Sequence, residues 1–123
     1  MPKRILVVDD EPDTLGLIEL TLSTAGFEVR TGFGGRTALA LLRQESFDLL
    51  LLDIMMPDLS GFEVIQELQA GSTPVPPLVF LTAKNRPEDR ELGNALGARA
   101  YLVKPTTRGQ LLYAIHKVIG EST

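Results

Sequence analysis

The chain has 123 residues, 44% of them hydrophobic and 23% charged, which suits a single domain with a substantial core, taken here as 1–123. A net charge of −4 argues against a nucleic-acid surface, which needs a basic patch or stripe, and the absence of cysteine removes disulfides and thiolate metal sites. No apolar stretch approaches the ~18 residues of a membrane span, and the run after Lys3 and Arg4 is too short for a signal-peptide core, so a reducing, cytoplasmic setting is expected.

The first apolar run, ILVV at 5–8, is continuous rather than alternating, the pattern of a strand buried on both faces of a parallel sheet. It runs into Asp9, Asp10 and Glu11. A helix is predicted over about 12–25, with Leu15, Ile18 and Leu22 on one face and Gly26 as a left-handed stop. FEVRT at 27–31 alternates and reads as an edge strand. After Gly34 and Gly35 a second helix is predicted over about 36–44. LLLL at 49–52 is the next buried strand, and it ends on Asp53. A third helix, about 61–70, places Phe62, Ile65 and Leu68 on one face. GSTPVPP at 71–77 lies between a helix and a strand of this series, so it reads as a surface loop.

LVFL at 78–81 leads to Thr82. The fourth helix is predicted after Asn85, where N-R-P-E offers a capping box with Glu88 reaching back, and Gly97 ends it. YLV at 101–103 leads to Lys104 and Pro105. T-R-G-Q from Thr107 offers a second capping box, and the last helix sets Leu111, Ile115 and Val118 on one side. Strand and helix thus alternate five times, which implies right-handed βαβ units and an α/β fold with helices on both faces of a parallel sheet.

Sites in such sheets lie at the carboxyl ends of the strands. Four strand ends deliver Asp9 and Asp10, Asp53, Thr82, and Lys104 to one edge. Each has an ordinary reading by itself: acids favour a helix N-terminus, a threonine suits a turn, and a lysine is usually solvated. Agreement at four ends is harder to explain that way. Two carboxylates about 4 Å apart repel by roughly 4 kcal/mol at an effective dielectric of 20. One lysine cannot offset three acids, whereas a divalent cation with Lys104 balances them. The donors on offer are oxygens, which points to Mg2+, or Mn2+, with water completing the shell. A metal, a lysine and a hydroxyl together suit phosphate oxygens, and an aspartate held there can act as a nucleophile forming an aspartyl phosphate.

The ordered set VVDDEP, LLLLDIMMPDLSGFEV, LTA and YLVKP resembles the response-regulator receiver domains of two-component signalling, of the chemotaxis-regulator type, over essentially the whole chain. The resemblance implies a flavodoxin-like, doubly wound, five-stranded parallel sheet in the order 2-1-3-4-5 with five helices. It implies Asp53 as phosphoacceptor and Asp10 as the acid that binds Mg2+ directly. Asp9 would act through water, and Met55 would lend a backbone carbonyl to the metal. It further implies Thr82 as switch hydroxyl, Lys104 as the phosphate-contacting lysine, Tyr101 as an aromatic that turns inward on activation, and a cis bond before Pro105. The implied partners are a sensor histidine kinase or histidine phosphotransfer protein, and an output domain or protein at the fourth helix, fifth strand and fifth helix. There is no nucleic-acid binding by this domain and no turnover of an external substrate in that reading; the domain assists its own phosphorylation. The sequence departs from the family at Arg99 and Ala100, where acids are frequent, and at Thr106, where an aromatic is frequent; this puts the acid-mediated dimer of one DNA-binding subfamily in doubt.

Competing readings are weaker. A haloacid-dehalogenase-type phosphohydrolase would carry D-x-D after its first strand, whereas here the acids are adjacent. A degenerate scaffold would lack an acid, Thr82 or Lys104. A nucleotide switch would need G-x-x-x-x-G-K-[ST], which is absent. His116 reads as a surface residue of the last helix rather than a phosphoryl carrier. Met56 reads as packing under the loop and Met55 as partly covering the site, and Arg86, Arg90 and Arg99 as either a partner face or a charged helix surface.

Overall fold

Each apolar run is divided by its own alternation between two cores. The computed structural model describes residues 2–83 and 86–122, the side chains of Glu121 and Ser122 excepted. Five parallel strands, β1 (Arg4–Val8), β2 (Glu28–Gly32), β3 (Leu49–Asp53), β4 (Leu78–Thr82) and β5 (Ala98–Val103), form one sheet in the order 2-1-3-4-5. The helices are α1 (Pro12–Thr24), α2 (Gly35–Gln44), α3 (Gly61–Ala70), α4 (Pro87–Ala95) and α5 (Arg108–Ser122). Among the described residues no helix is long and apolar enough to cross a membrane.

Because successive side chains of a strand point to opposite faces, Ile5, Val7, Leu49, Leu51, Val79 and Leu81 pack on one side with Leu15, Ile18 and Leu22 of α1 and Leu111, Ile115 and Val118 of α5. Leu6, Val8, Leu50, Leu52 and Phe80 pack on the other with Ala38, Leu39 and Leu42 of α2 and Phe62, Val64, Ile65 and Leu68 of α3. Burial of one such large side chain contributes roughly 1.5–3 kcal/mol. Two faces to cover explain why the runs at 5–8, 49–52 and 78–81 are apolar without interruption.

The edges differ from expectation in ways that pairing explains. β2 is displaced by one residue to Glu28–Gly32, because parallel pairing matches Arg4 with Glu28 and Val8 with Gly32. β5 begins at Ala98 rather than Tyr101, since Ala98 pairs with Leu78 and the register then shifts before Val79 meets Ala100. α2 starts at Gly35. The cap predicted at Asn85 lies outside the described residues; Arg86 holds the cap position of α4 and makes no side-chain cap bond. α3 carries a capping box, with Ser60 Oγ accepting from Glu63 N–H at 3.1 Å and Glu63 Oε1 accepting from Ser60 N–H at 2.9 Å. Thr107 and Gln110 exchange the same pair of bonds at the start of α5. Gly26 and Gly97 end α1 and α4 with φ of 99° and 98°, a region that favours glycine.

Candidate functional site

The strand register carries four polar ends to one edge of the sheet. Val8 lies beside Leu52 and Leu81 beside Leu102, so the residues that follow converge. Backbone bonds hold the turns: Asp9 N–H to Gly32 O at 3.1 Å, Ile54 N–H to Leu81 O at 3.0 Å, and Lys104 N–H to Thr82 O at 2.8 Å. Gly61 permits the approach of α3, because a Cβ there would lie 2.6 Å from Asp53 O. The bond between Lys104 and Pro105 is cis.

Lys104 is the hub. Its Nζ lies 2.8 Å from Asp9 Oδ2, 2.9 Å from Glu11 Oε1 and 3.3 Å from Asp53 Oδ2. Asp9 is fully buried and Asp53 and Thr82 nearly so, while Asp10 is half-buried. Asp9 Oδ1 accepts from Glu11 N–H at 2.9 Å and Asp53 Oδ1 from Met55 N–H at 3.2 Å. Asp9 Oδ2 faces the lysine charge but receives no well-aligned hydrogen bond. Asp9, Asp10 and Asp53 each offer a carboxylate oxygen, all within 4.8 Å of one another.

The electrostatics follow from this crowding. Burial first, and the Asp9 charge second, push the Asp53 carboxyl up to about 6 against the opposing pull of Lys104. Burial works to lower the Lys104 pKa, but its contacts with Asp9, Glu11 and Asp53 raise it well above the ordinary value, so the ammonium stays charged. A partly satisfied acid cluster with a buried oxygen lacking a donor is chemically suited to a small hard cation, and the oxygen-only donor set fits one. Beside it opens a pocket of about 540 Å³ bordered by Asp10, Met55, Thr82, Arg86 and Asp89. Met55 is 50% exposed at its rim and Met56 packs against the core.

Tyr101, paired with Phe80 across the sheet, turns its ring toward α4. Its ring centroid lies 5.6 Å from that of Phe80, and its hydroxyl donates to Asp89 O at 2.7 Å. The exposed His116 packs on Phe27, with ring centroids 5.5 Å apart, away from the site.

Two contributors were not singled out from the sequence. Glu11 joins the Lys104 cluster; its place two residues after Asp9 was the available signal. Asp58 of the β3–α3 loop caps α2, accepting from Gly35 N–H and Arg36 N–H, each at 3.0 Å, and those bonds hold its carboxyl down to about 2. No local signal reveals that pairing, because it joins a loop to a helix more than twenty residues away in the chain.

A doubly wound sheet with acids, a hydroxyl and a lysine at its carboxyl edge defines a class of phosphoryl-handling switch domains. Residues 5–116 match the model of the response regulator receiver domain. The chain is 42% identical over 120 residues to the transcriptional regulatory protein CpxR of Klebsiella pneumoniae, covering 97% of this chain and 50% of that protein. The structure of chemotaxis protein CheY4 of Vibrio cholerae superposes with a TM-score of 0.89 at 34% identity, covering 96% of this chain and 99% of that one. That of response regulator protein TrrA of Thermotoga maritima, in complex with Mg2+ and BeF, gives 0.82 at 34% identity, covering 94% and 98%. The chain belongs to the response regulator receiver family, the phosphoacceptor domains of two-component signalling. It spans between a quarter and a half of the length of the curated relatives it matches.

Proposed function

We propose that Asp53 is the phosphoacceptor of this receiver, loaded by a histidine kinase or histidine phosphotransfer protein, and that the domain reads out the charge through α4, β5 and α5. The observation that carries this is the convergence, at the ends of three strands, of Asp9, Asp10 and Asp53 with oxygens within 4.8 Å of one another and of Lys104 in ion-pair reach of Asp9 and Asp53. Asp10, Asp53 and the Met55 backbone carbonyl would hold Mg2+, with Asp9 acting through water. When bound, the cation supplies charge neutralisation of the attacking carboxylate and of the transferring phosphoryl oxygens. TrrA, whose structure carries Mg2+ and BeF, supports that choice by likeness.

The remaining work falls to the chain's own side chains. Burial and the Met55 N–H bond fix one Asp53 oxygen and leave the carboxylate poised as a nucleophile. Lys104, already charged and 3.3 Å from Asp53 Oδ2, can pass from carboxylate to phosphoryl oxygen with little movement. The Thr82 hydroxyl then donates to another phosphoryl oxygen. The domain catalyses its own modification and turns over no other substrate. A cytoplasmic location follows from that partnership with a kinase.

Mass spectrometry tests the assignment. Incubation with acetyl phosphate and Mg2+ should add one phosphoryl mass, and Asp53→Asn should remove it. Phosphoryl recovered on Asp58 or His116 of the unaltered protein sinks the assignment. Asp10→Ala should abolish the Mg2+ titration seen by calorimetry.

A further inference from the structure

Gly93 is the only buried residue of α4. Its backbone does not occupy the left-handed region that Gly26 and Gly97 occupy, so conformation gives no reason for a glycine there. Space does. A Cβ built on Gly93 would lie 1.5 Å from Tyr101 Oη, 2.5 Å from Cζ and 2.9 Å from Cε2. No real contact is that short, and the obstacle is a rigid ring rather than the free end of a flexible chain. The ring is pinned from two other directions, by Phe80 and by the hydroxyl bond to Asp89 O. Any side chain at 93 must therefore displace either Tyr101 or α4. Glycine is also among the poorest helix formers, so the helix is weakened where it lies closest to the sheet's aromatic.

We propose that Gly93 is the positioning residue of the switch. The missing side chain forms the socket in which Tyr101 sits, and the residue at 93 decides whether the α4–β5 face closes over that ring. The steric argument stands alone; its bearing on signalling rests on the phosphoacceptor reading above. Asp89 links the two, since its carbonyl holds the Tyr101 hydroxyl while its carboxylate holds Arg86 at 3.0 Å, and Arg86 and Thr82 border the same pocket.

Three proteins decide it: Gly93→Ala, Tyr101→Ala and the double variant, each labelled for NMR. In the parent, Tyr101 ring protons should show cross-peaks to Phe80 and to Gly93 Hα. Gly93→Ala should lose the Phe80 cross-peaks while the amides of α1, α2 and α3 stay in place. Asp53 should still bind beryllofluoride with Mg2+, read at the Thr82 and Lys104 amides, without restoring the Tyr101 cross-peaks. In the Tyr101→Ala background the same substitution should leave α4 undisturbed and raise the thermal midpoint, because only helix propensity remains. If Gly93→Ala fails to fold, that background should rescue it. Retained Tyr101–Phe80 cross-peaks together with undisplaced α4 amides in Gly93→Ala overturn the proposal, as does equal damage to α4 with and without Tyr101. A parent that binds no beryllofluoride overturns the phosphoacceptor reading instead, and the cross-peaks still judge Gly93.

Discussion

α3 and α4 follow strands that end in the neighbouring site residues Asp53 and Thr82, yet they are held very differently. α3 buries Phe62, Val64, Ile65 and Leu68, carries a reciprocal capping box, and ties its first residue to Ile54 O at 2.8 Å. α4 buries Gly93 alone, has no side-chain cap, and begins with an exposed Arg86–Asp89 pair of the kind that contributes about 0.3–0.5 kcal/mol. Its ties to the sheet include Tyr101, whose hydroxyl donates to Asp89 O and whose ring lies 5.1 Å from the Arg90 guanidinium. On the phosphoacceptor reading proposed above, the difference gives the two halves of the site separate duties. The Asp53 half is anchored in the core and keeps the reacting groups in register. The Thr82 half is fastened more weakly, so that on the proposed reading a few hydrogen bonds to a phosphoryl group, each roughly 1.5–3 kcal/mol when charge-assisted, would shift its equilibrium.

The strongest way to break this comparison is to truncate one leucine on each helix. Leu68→Ala in α3 removes a fully buried side chain and should cost about 2–5 kcal/mol in urea denaturation. Leu92→Ala in α4, where Leu92 is 39% exposed, should stay within about 0.5 kcal/mol. Equal losses would mean that α4 is anchored as firmly as α3.

A second test probes the charge stored in the anchored half. Asp53 ionises near 6 in the folded chain against 3.8 for an ordinary carboxyl, so ionised Asp53 opposes folding by roughly 3 kcal/mol. For a raised carboxyl the stability is full below about pH 4 and is lost as pH climbs through about 6. Asp53→Asn should therefore be more stable than the parent at pH 7 without Mg2+, with the gap opening between pH 4 and 6 and closing when Mg2+ is added. Parallel stability curves across that range would show that Lys104 fully offsets the acid cluster.

The smallest expected effect concerns the caps. Ser60→Ala should destabilise by about 1 kcal/mol, since it leaves the first-turn donors of α3 unpaired. Arg86→Ala should change the thermal midpoint little, because its partners are exposed ion pairs. A reversed order would transfer the firm attachment to α4.

By itself the sequence determined the layered α/β fold and which residues would meet. Continuous apolar runs can satisfy only strands covered on both faces, and parallel connections carry every strand's end to the same edge, so polar residues at 9, 10, 53, 82 and 104 had to gather there. The outer strands were less legible: β2 and β5 have weak patterns of their own, and their limits come from pairing with β1 and β4. Tertiary structure alone decided the rest. The Asp58 cap on α2 is a contact between a loop and a helix distant in sequence. The 1.5 Å clash that makes Gly93 necessary exists only once the Phe80–Tyr101 pair has placed a ring beneath α4. Strand periodicity is a local property that each residue carries with it, whereas the space left for one side chain is set by whatever the fold brings opposite.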